Sequence, residues 1–101
     1  MRMILNVSFP PAKFNAAVRE GTIGQTISRI LEETKPEAAY FTEEHGRRTG
    51  ILVVNLDDVS RVPALAEPWF LHFDADCRIR IAMTPADLEK SGLAEIGRKW
   101  S

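Results

Sequence analysis

Six polar side chains that could bind a ligand fall on strand-like stretches of this sequence: Asn6, Ser8, Tyr40, Asn55, Arg78 and Arg80. The two arginines alternate with apolar residues in "CRIRIAMT", so a β-strand places both guanidinium groups on one face. Guanidinium groups beside amide and hydroxyl groups bind carboxylates or enolates through charge-assisted hydrogen bonds. The six residues are therefore the candidate site for a small acidic ligand.

A second interpretation of Arg78 and Arg80 needs no ligand. Charges on an edge strand oppose strand-to-strand aggregation, and arginines also pair with Asp or Glu across an interface between two copies. The sequence favours such a carboxylate partner over a ligand.

The other residues with reactive side chains form no recognisable motif. His45 and His72 lack the spacing of metal ligands, and Cys77 falls on the apolar side of its strand, where a thiol is usually inert. The glycine pair in "GTIGQT" does not match a phosphate-binding loop. We expect no metal and no cofactor.

Composition excludes several classes of partner. The chain has 101 residues, which predicts a single domain over 1–101, and its formal net charge of -1 gives no general attraction to nucleic acid or membranes. No apolar run is long enough to span a membrane, and "MRMILNVSFPP" is too short for a signal peptide. With one cysteine, no internal disulfide is expected, and a reducing, cytoplasmic location is predicted.

Apolar periodicity places four strands along the chain. The first and the last alternate between two sets of residues, one of them apolar, and "EAAYFTE" reads as the second strand. The run "ILVV" does not alternate, which indicates a strand covered on both faces. The polar segment "EHGRRTG" reads as a hairpin loop. The strands are predicted over 3–9, 37–43, 50–56 and 77–84.

Helical spacing fills the intervals between these strands. The stretch 12–34 predicts a helix broken near Gly21, and a second helix begins at Asp57 or Asp58 with a kink or restart at Pro68. Thr84 predicts the cap of a short helix that ends before Gly92, followed by a last amphipathic segment.

The element order β-α-β-β-α-β predicts an α+β, ferredoxin-like antiparallel sheet with its helices on one face and an added C-terminal helix. The first and third strands should be central. Thirteen residues should face the helices: Met3, Leu5, Val7, Phe9, Ala39, Phe41, Leu52, Val54, Leu56, Cys77, Ile79, Ile81 and Met83.

The opposite sheet face carries an apolar patch at Ile4, Ile51 and Val53. A contiguous apolar patch on an open sheet is typical of a contact surface. We therefore expect a homodimer in which two sheets pack face to face.

The segments "TKPEAAYF", "ALAEPWF" and "MTPADL" resemble uncharacterised members of the dimeric α/β-barrel superfamily, which includes antibiotic-biosynthesis-type monooxygenases and muconolactone isomerases. The resemblance implies a fold and a homodimer whose sheets enclose a lumen, but no catalytic residue. It leaves two functions open: binding or converting a small organic acid in the lumen, or a structural or protein-interaction module with a packed lumen. Tyr40 or His72 could carry a proton in a cofactor-free oxygenase or isomerase.

Haem-degrading members of this superfamily use an Asn on the first strand and a Trp and a His from the second helical region. Asn6 and Trp69 could correspond to two of these residues. His72 departs from the pattern because it follows Trp69 by only three positions. Trp69 lies at helical spacing with Leu65 and Phe73, which predicts a core residue instead, and we expect no haem.

Overall fold

A single sheet of four antiparallel strands, in the order β2-β3-β1-β4, forms the frame of the protein. The computed structural model describes residues 1–101. The strands are β1 (Arg2–Ser8), β2 (Ala38–Glu44), β3 (Arg47–Asn55) and β4 (Asp76–Ile81). The α+β class is thus confirmed, and β1 and β3 are the central strands, as predicted.

Three helices cover one face of this sheet. They are α1 (Pro11–Glu20), α2 (Ile23–Thr34) and α3 (Val62–Phe73), the last preceded by a short 3-10 turn at Val59–Arg61. The predicted break at Gly21 is confirmed, because this residue adopts a φ of 77° and ends α1.

Of the two outcomes predicted for Pro68, a kink or a restart of the helix, the restart is wrong, since α3 runs through this residue. The proline removes one backbone donor from the helix, but Leu65, Trp69 and Phe73 on the same helix are buried and hold it in place.

The β2–β3 hairpin is tighter than the sequence suggested. Only His45 and Gly46 form the turn, with φ values of 56° and 75°, and β3 begins at Arg47. Two successive residues with positive φ are the signature of a two-residue hairpin turn. The expectation that all of "EHGRRTG" forms a loop is therefore wrong, and Arg47 to Gly50 belong to the sheet.

The core lies between the central strands and the helices. Phe9, which directly follows β1, makes edge-to-face contacts with Phe14, Trp69 and Phe73, at ring-centroid distances of 5.0, 5.8 and 5.2 Å. The predicted core residues of the central strands are all buried: Met3, Leu5, Val7, Phe9, Leu52, Val54 and Leu56.

The predicted core residues of the edge strands behave differently. Phe41, Ile79, Ile81 and Met83 are exposed, and Ala39 and Cys77 are half-buried. Ile79 and Ile81 lie opposite the buried Leu5 and Met3, on the same sheet face. The helical layer therefore stops short of the sheet edge. The predicted burial is wrong for Phe41, Ile79, Ile81 and Met83, whereas Ala39 and Cys77 pack against the core.

The last two helices, α4 (Pro85–Lys90) and α5 (Leu93–Lys99), lie outside this core. Thr84 caps α4 as predicted: its hydroxyl accepts from the Asp87 N–H at 3.1 Å, and the Asp87 carboxylate accepts from the Thr84 N–H at 3.0 Å. We call residues 82–101 the C-terminal arm. Neither of its helices packs extensively on another element.

The arm gives the chain an elongated outline of 59 × 29 × 19 Å. The radius of gyration is 16.9 Å, against about 13 Å for a compact domain of 100 residues. None of the five helices combines the length and apolar composition that crossing a bilayer requires.

Candidate functional site

The open face of the sheet carries all six residues that the sequence singled out. Strand register places Asn6 between Ile51 and Arg78, and Ser8 between Thr49 and Asp76. Tyr40 lies opposite Ile51 on the far side of β3. These residues share a face because side chains alternate along each strand and the core residues occupy the other face.

Asn6 and Arg80 are in direct contact at the centre of this face. The Arg80 Nη2 donates a 2.7 Å hydrogen bond to the Asn6 Oδ1. Asn6 is only 7% exposed although it lies on the face without helices, because neighbouring side chains cover it. A buried amide of this kind requires a partner, and Arg80 supplies it.

Arg78 has a carboxylate partner within its own chain. Its Nη2 donates to the Glu44 Oε1 at 3.0 Å, so one ion pair spans the sheet from edge strand to edge strand. The sequence favoured a carboxylate partner across a dimer interface. The structure supplies one from β2 of the same chain.

A second ion pair lies beside the first. The Arg47 Nη1 is 3.9 Å from the Asp76 Oδ2, and Ser8 and Thr49 line the groove between the two pairs. Sequence reasoning missed Glu44 and Asp76 because each lay just outside a predicted strand, and it missed Arg47 because this residue lay in the predicted hairpin loop. Extending the alternation of both strands to a two-residue turn at His45–Gly46 would have found Glu44 and Arg47.

The charges of this cluster do not cancel. Three guanidinium groups (Arg47, Arg78 and Arg80) face two carboxylates. Arg80 is the guanidinium without an ion pair, since its side-chain partner is the neutral amide of Asn6. It borders a depression of about 290 Å³ together with Asn6, Glu44 and Arg78.

Apolar side chains adjoin Arg80 on the same face. Arg80 lies opposite Ile4 on the central strand, and Ile4 lies opposite Val53 on the next strand. Ile4, Ile51 and Val53 are half-buried although no helix covers them. The site thus combines one unpaired guanidinium with a hydrophobic strip.

Two of the six candidates lie away from this cluster. Tyr40 is exposed on the edge strand, two strands from Asn6. Asn55 pairs in register with Arg2 at the other end of the sheet, where its side chain accepts from the N-terminal amino group at 3.4 Å. The structure therefore brings together Asn6, Ser8, Arg78 and Arg80, and separates them from Tyr40 and Asn55.

Trp69 and His72 lie on the opposite side of the sheet from Asn6. Trp69 is 1% exposed in the core, as predicted, and His72 lies on the outer surface of α3. The sheet separates these two residues from Asn6, so the three share no site. For the same reason His72 and Tyr40 cannot act together on one ligand.

Cys77 packs at the margin of the core. It is half-buried beside the helical layer. Burial, with smaller contributions from Asp76 and Glu67, raises the pKa of the Cys77 thiol to about 11. The thiol is therefore protonated near neutral pH and is a poor nucleophile.

Metal binding finds no support in the side-chain arrangement. No group of three His, Cys, Asp or Glu side chains is placed to hold a metal ion. The carboxylates of the open face are each engaged by an arginine.

Comparison of the chain with protein-family models, with curated protein sequences and with solved structures finds no significant match.

Proposed function

We propose that the protein binds a small organic carboxylate on the open face of its sheet, as a homodimer of the dimeric α/β-barrel type. The observation that carries this proposal is Arg80, a guanidinium without a carboxylate partner that contacts the amide of Asn6 and adjoins an apolar strip. The ligand lies between two sheets, one from each copy.

Arg80 and Asn6 provide the donors for a carboxylate. The guanidinium carries five N–H donors, and the contact to Asn6 uses one nitrogen. The Asn6 amide accepts through Oδ1, so its NH₂ group remains a donor. A carboxylate that bridges the two residues accepts charge-assisted hydrogen bonds and neutralises the uncompensated charge.

Ile4, Ile51 and Val53 accommodate the rest of the ligand. Their side chains are adjacent through strand register and lie next to Arg80. The ligand class that fits is an aromatic or aliphatic acid, with its charged end at the guanidinium and its hydrocarbon body on the strip.

The fold supports the homodimer. The order β2-β3-β1-β4 with helices on one face suits a ferredoxin-like chain, and it leaves the apolar strip uncovered. Two sheets packed face to face lie about 10 Å apart. Such packing buries the strip and encloses the polar cluster. The lone thiol of Cys77 supports a reducing, cytoplasmic compartment.

Calorimetric titration with benzoate and hexanoate tests the ligand proposal. The Arg80→Ala variant loses the charge-assisted bonds, and we expect its affinity to fall about 10- to 100-fold. The matched control is Arg29→Ala, which removes an exposed arginine from α2 on the other side of the sheet. Benzamide, which lacks the charge, should bind weakly to the wild type.

Equal binding by the wild type and the Arg80→Ala variant would contradict the site. The carboxylate would then bind elsewhere on the chain.

A second candidate function is a structural or protein-interaction module with a packed lumen. The two intrachain ion pairs, Arg78–Glu44 and Arg47–Asp76, favour it because they satisfy most of the polar cluster without a ligand. In that case no carboxylate binds the wild type in the titration, while the homodimer persists.

A further inference from the structure

The C-terminal arm presents an apolar stripe that its own chain covers only in part. Leu93, Ile96 and Trp100 recur at intervals of three and four, so they share one face of α5, and Leu88 on α4 is also exposed. Trp100 is 78% exposed. We call these four residues the arm stripe.

A second uncovered apolar surface leads directly into the arm. Ile79 and Ile81 on the helix-facing side of β4 are 40% and 72% exposed, and Met83 follows them at the start of the arm. We call these three residues the β4 stripe. It ends where the arm begins, so the two stripes follow one another along the chain.

The surface that these stripes expose is large for a free monomer. Seven apolar side chains, at roughly 60–120 Å² each, give on the order of 600 Å² per chain. Two copies that cover each other would bury about 1,200 Å², which is the lower limit for a specific protein interface. An area of about 600 Å² is at the upper end of the largest apolar patch on a typical monomer, and such patches are often functional.

The charges of the arm favour a second arm as the partner. Helix α4 carries Asp87, Glu89 and Lys90, and helix α5 carries Glu95, Arg98 and Lys99. The first half is therefore net acidic and the second half net basic. Two arms packed antiparallel about a two-fold axis place each acidic half beside the basic half of the other copy. An arm without net charge has no general attraction to nucleic acid or anionic lipid.

The arm is also poorly attached to its own chain. Beyond the backbone bond from the Ala82 N–H to the Arg2 carbonyl at 2.9 Å, the hydrogen bonds of the arm are internal. The capping box at Thr84 and the proline after it fix the direction in which α4 leaves β4.

We infer that the C-terminal arm packs antiparallel on the arm of a second copy and covers that copy's β4 stripe, with reciprocal contacts about a two-fold axis. This contact rests on the proposed function only in requiring a homodimer, and it adds a second surface to the sheet contact. It does not require a ligand.

Light scattering across a concentration series tests the contact. The Leu93→Asp/Ile96→Asp variant puts two charges into the arm stripe, and we expect its dimer to dissociate about 100-fold more readily. The matched control is Ala94→Asp, compared with the single variant Leu93→Asp, because it puts the same charge one residue along the same helix and outside the arm stripe. Ala94 is exposed, so this control should keep the wild-type dimer.

Trp100 supplies a second measurement, made on the wild-type chain. Trp69 is buried, so iodide quenching of fluorescence reports mainly on Trp100. We expect Trp100 to be shielded at high protein concentration and quenched on dilution, with the Trp100→Phe variant as the blank. Shielding at concentrations where light scattering finds a monomer would mean that the arm folds back on its own chain, and quenching at concentrations where it finds a dimer would mean that the arm stays free. Either result overturns the inference.

Comparing the arm variant with Val53→Lys distinguishes a wrong arm contact from a wrong sheet contact. If charges in the arm stripe leave the dimer intact while Val53→Lys on the open face dissociates it, the arm contact is wrong and the sheet contact stands. If the arm variant dissociates the dimer and Val53→Lys does not, the sheet contact is wrong and the arm contact stands.

Discussion

Arg78 and Arg80 lie two residues apart on one strand face, yet their surroundings differ. Arg78 is bound to the carboxylate of Glu44, whereas Arg80 is bound to the neutral amide of Asn6. Sequence alternation puts both residues on one face but cannot tell which of them meets a carboxylate. That difference depends on Glu44, which comes from the other edge of the sheet.

Cys77 offers a prediction from its raised pKa. Burial disfavours the thiolate, so at pH 8 alkylation by iodoacetamide should be about 100-fold slower than for a thiol with the ordinary pKa of 9.0. The rate should rise tenfold per pH unit and level off only near pH 11. Mass spectrometry of quenched time points measures this rate, with the urea-unfolded chain as the control.

A rate that levels off near pH 9 in the folded protein would contradict the burial of this thiol.

At the scale of elements, the central strands could be predicted and the edges could not. Leu5 and Ile79 follow the same alternating pattern and lie opposite each other, but only Leu5 is buried. The pattern reports which face of a strand is apolar, and the positions of the helices decide how far that face is covered. The same limit applies to the site: Glu44 and Asp76 were missed because strand ends are set by the turn and by pairing.

Substitution by alanine should have opposite effects on stability at two exposed glycines, Gly46 in the hairpin turn and Gly24 in α2. Gly46 has a φ of 75°, so Gly46→Ala should lower the free energy of unfolding, by about 1 kcal/mol. Gly24 is helical with open space around it, so Gly24→Ala should raise that free energy, by roughly 0.5 kcal/mol. Urea unfolding followed by circular dichroism measures both.

The same sign for the two substitutions would show that the backbone conformation assigned to one of these glycines is wrong.

At the scale of the whole molecule, the protein has two uncovered apolar surfaces on different sides. The strip of Ile4, Ile51 and Val53 lies on the open face, and the two stripes around the arm begin on the helix-facing side of β4. The elongated outline of 59 × 29 × 19 Å reflects the C-terminal arm, residues 82–101, which lies outside the core. A second copy of the chain, packed as proposed above, would cover both surfaces.

The open face carries the last prediction. Val53→Lys puts a charge into the strip on a central strand, where a facing sheet would have to bury it. We expect the variant to be a monomer at micromolar concentration by light scattering, while its circular dichroism spectrum stays that of the wild type, because Val53 lies outside the helix-facing core. The matched control is Ser28→Lys, an exposed position on α2.

Because the strip is also the proposed support for the ligand body, the monomer should lose benzoate binding although Arg80 is unchanged. A variant that stays dimeric and binds benzoate as tightly as the wild type would place both the interface and the ligand elsewhere.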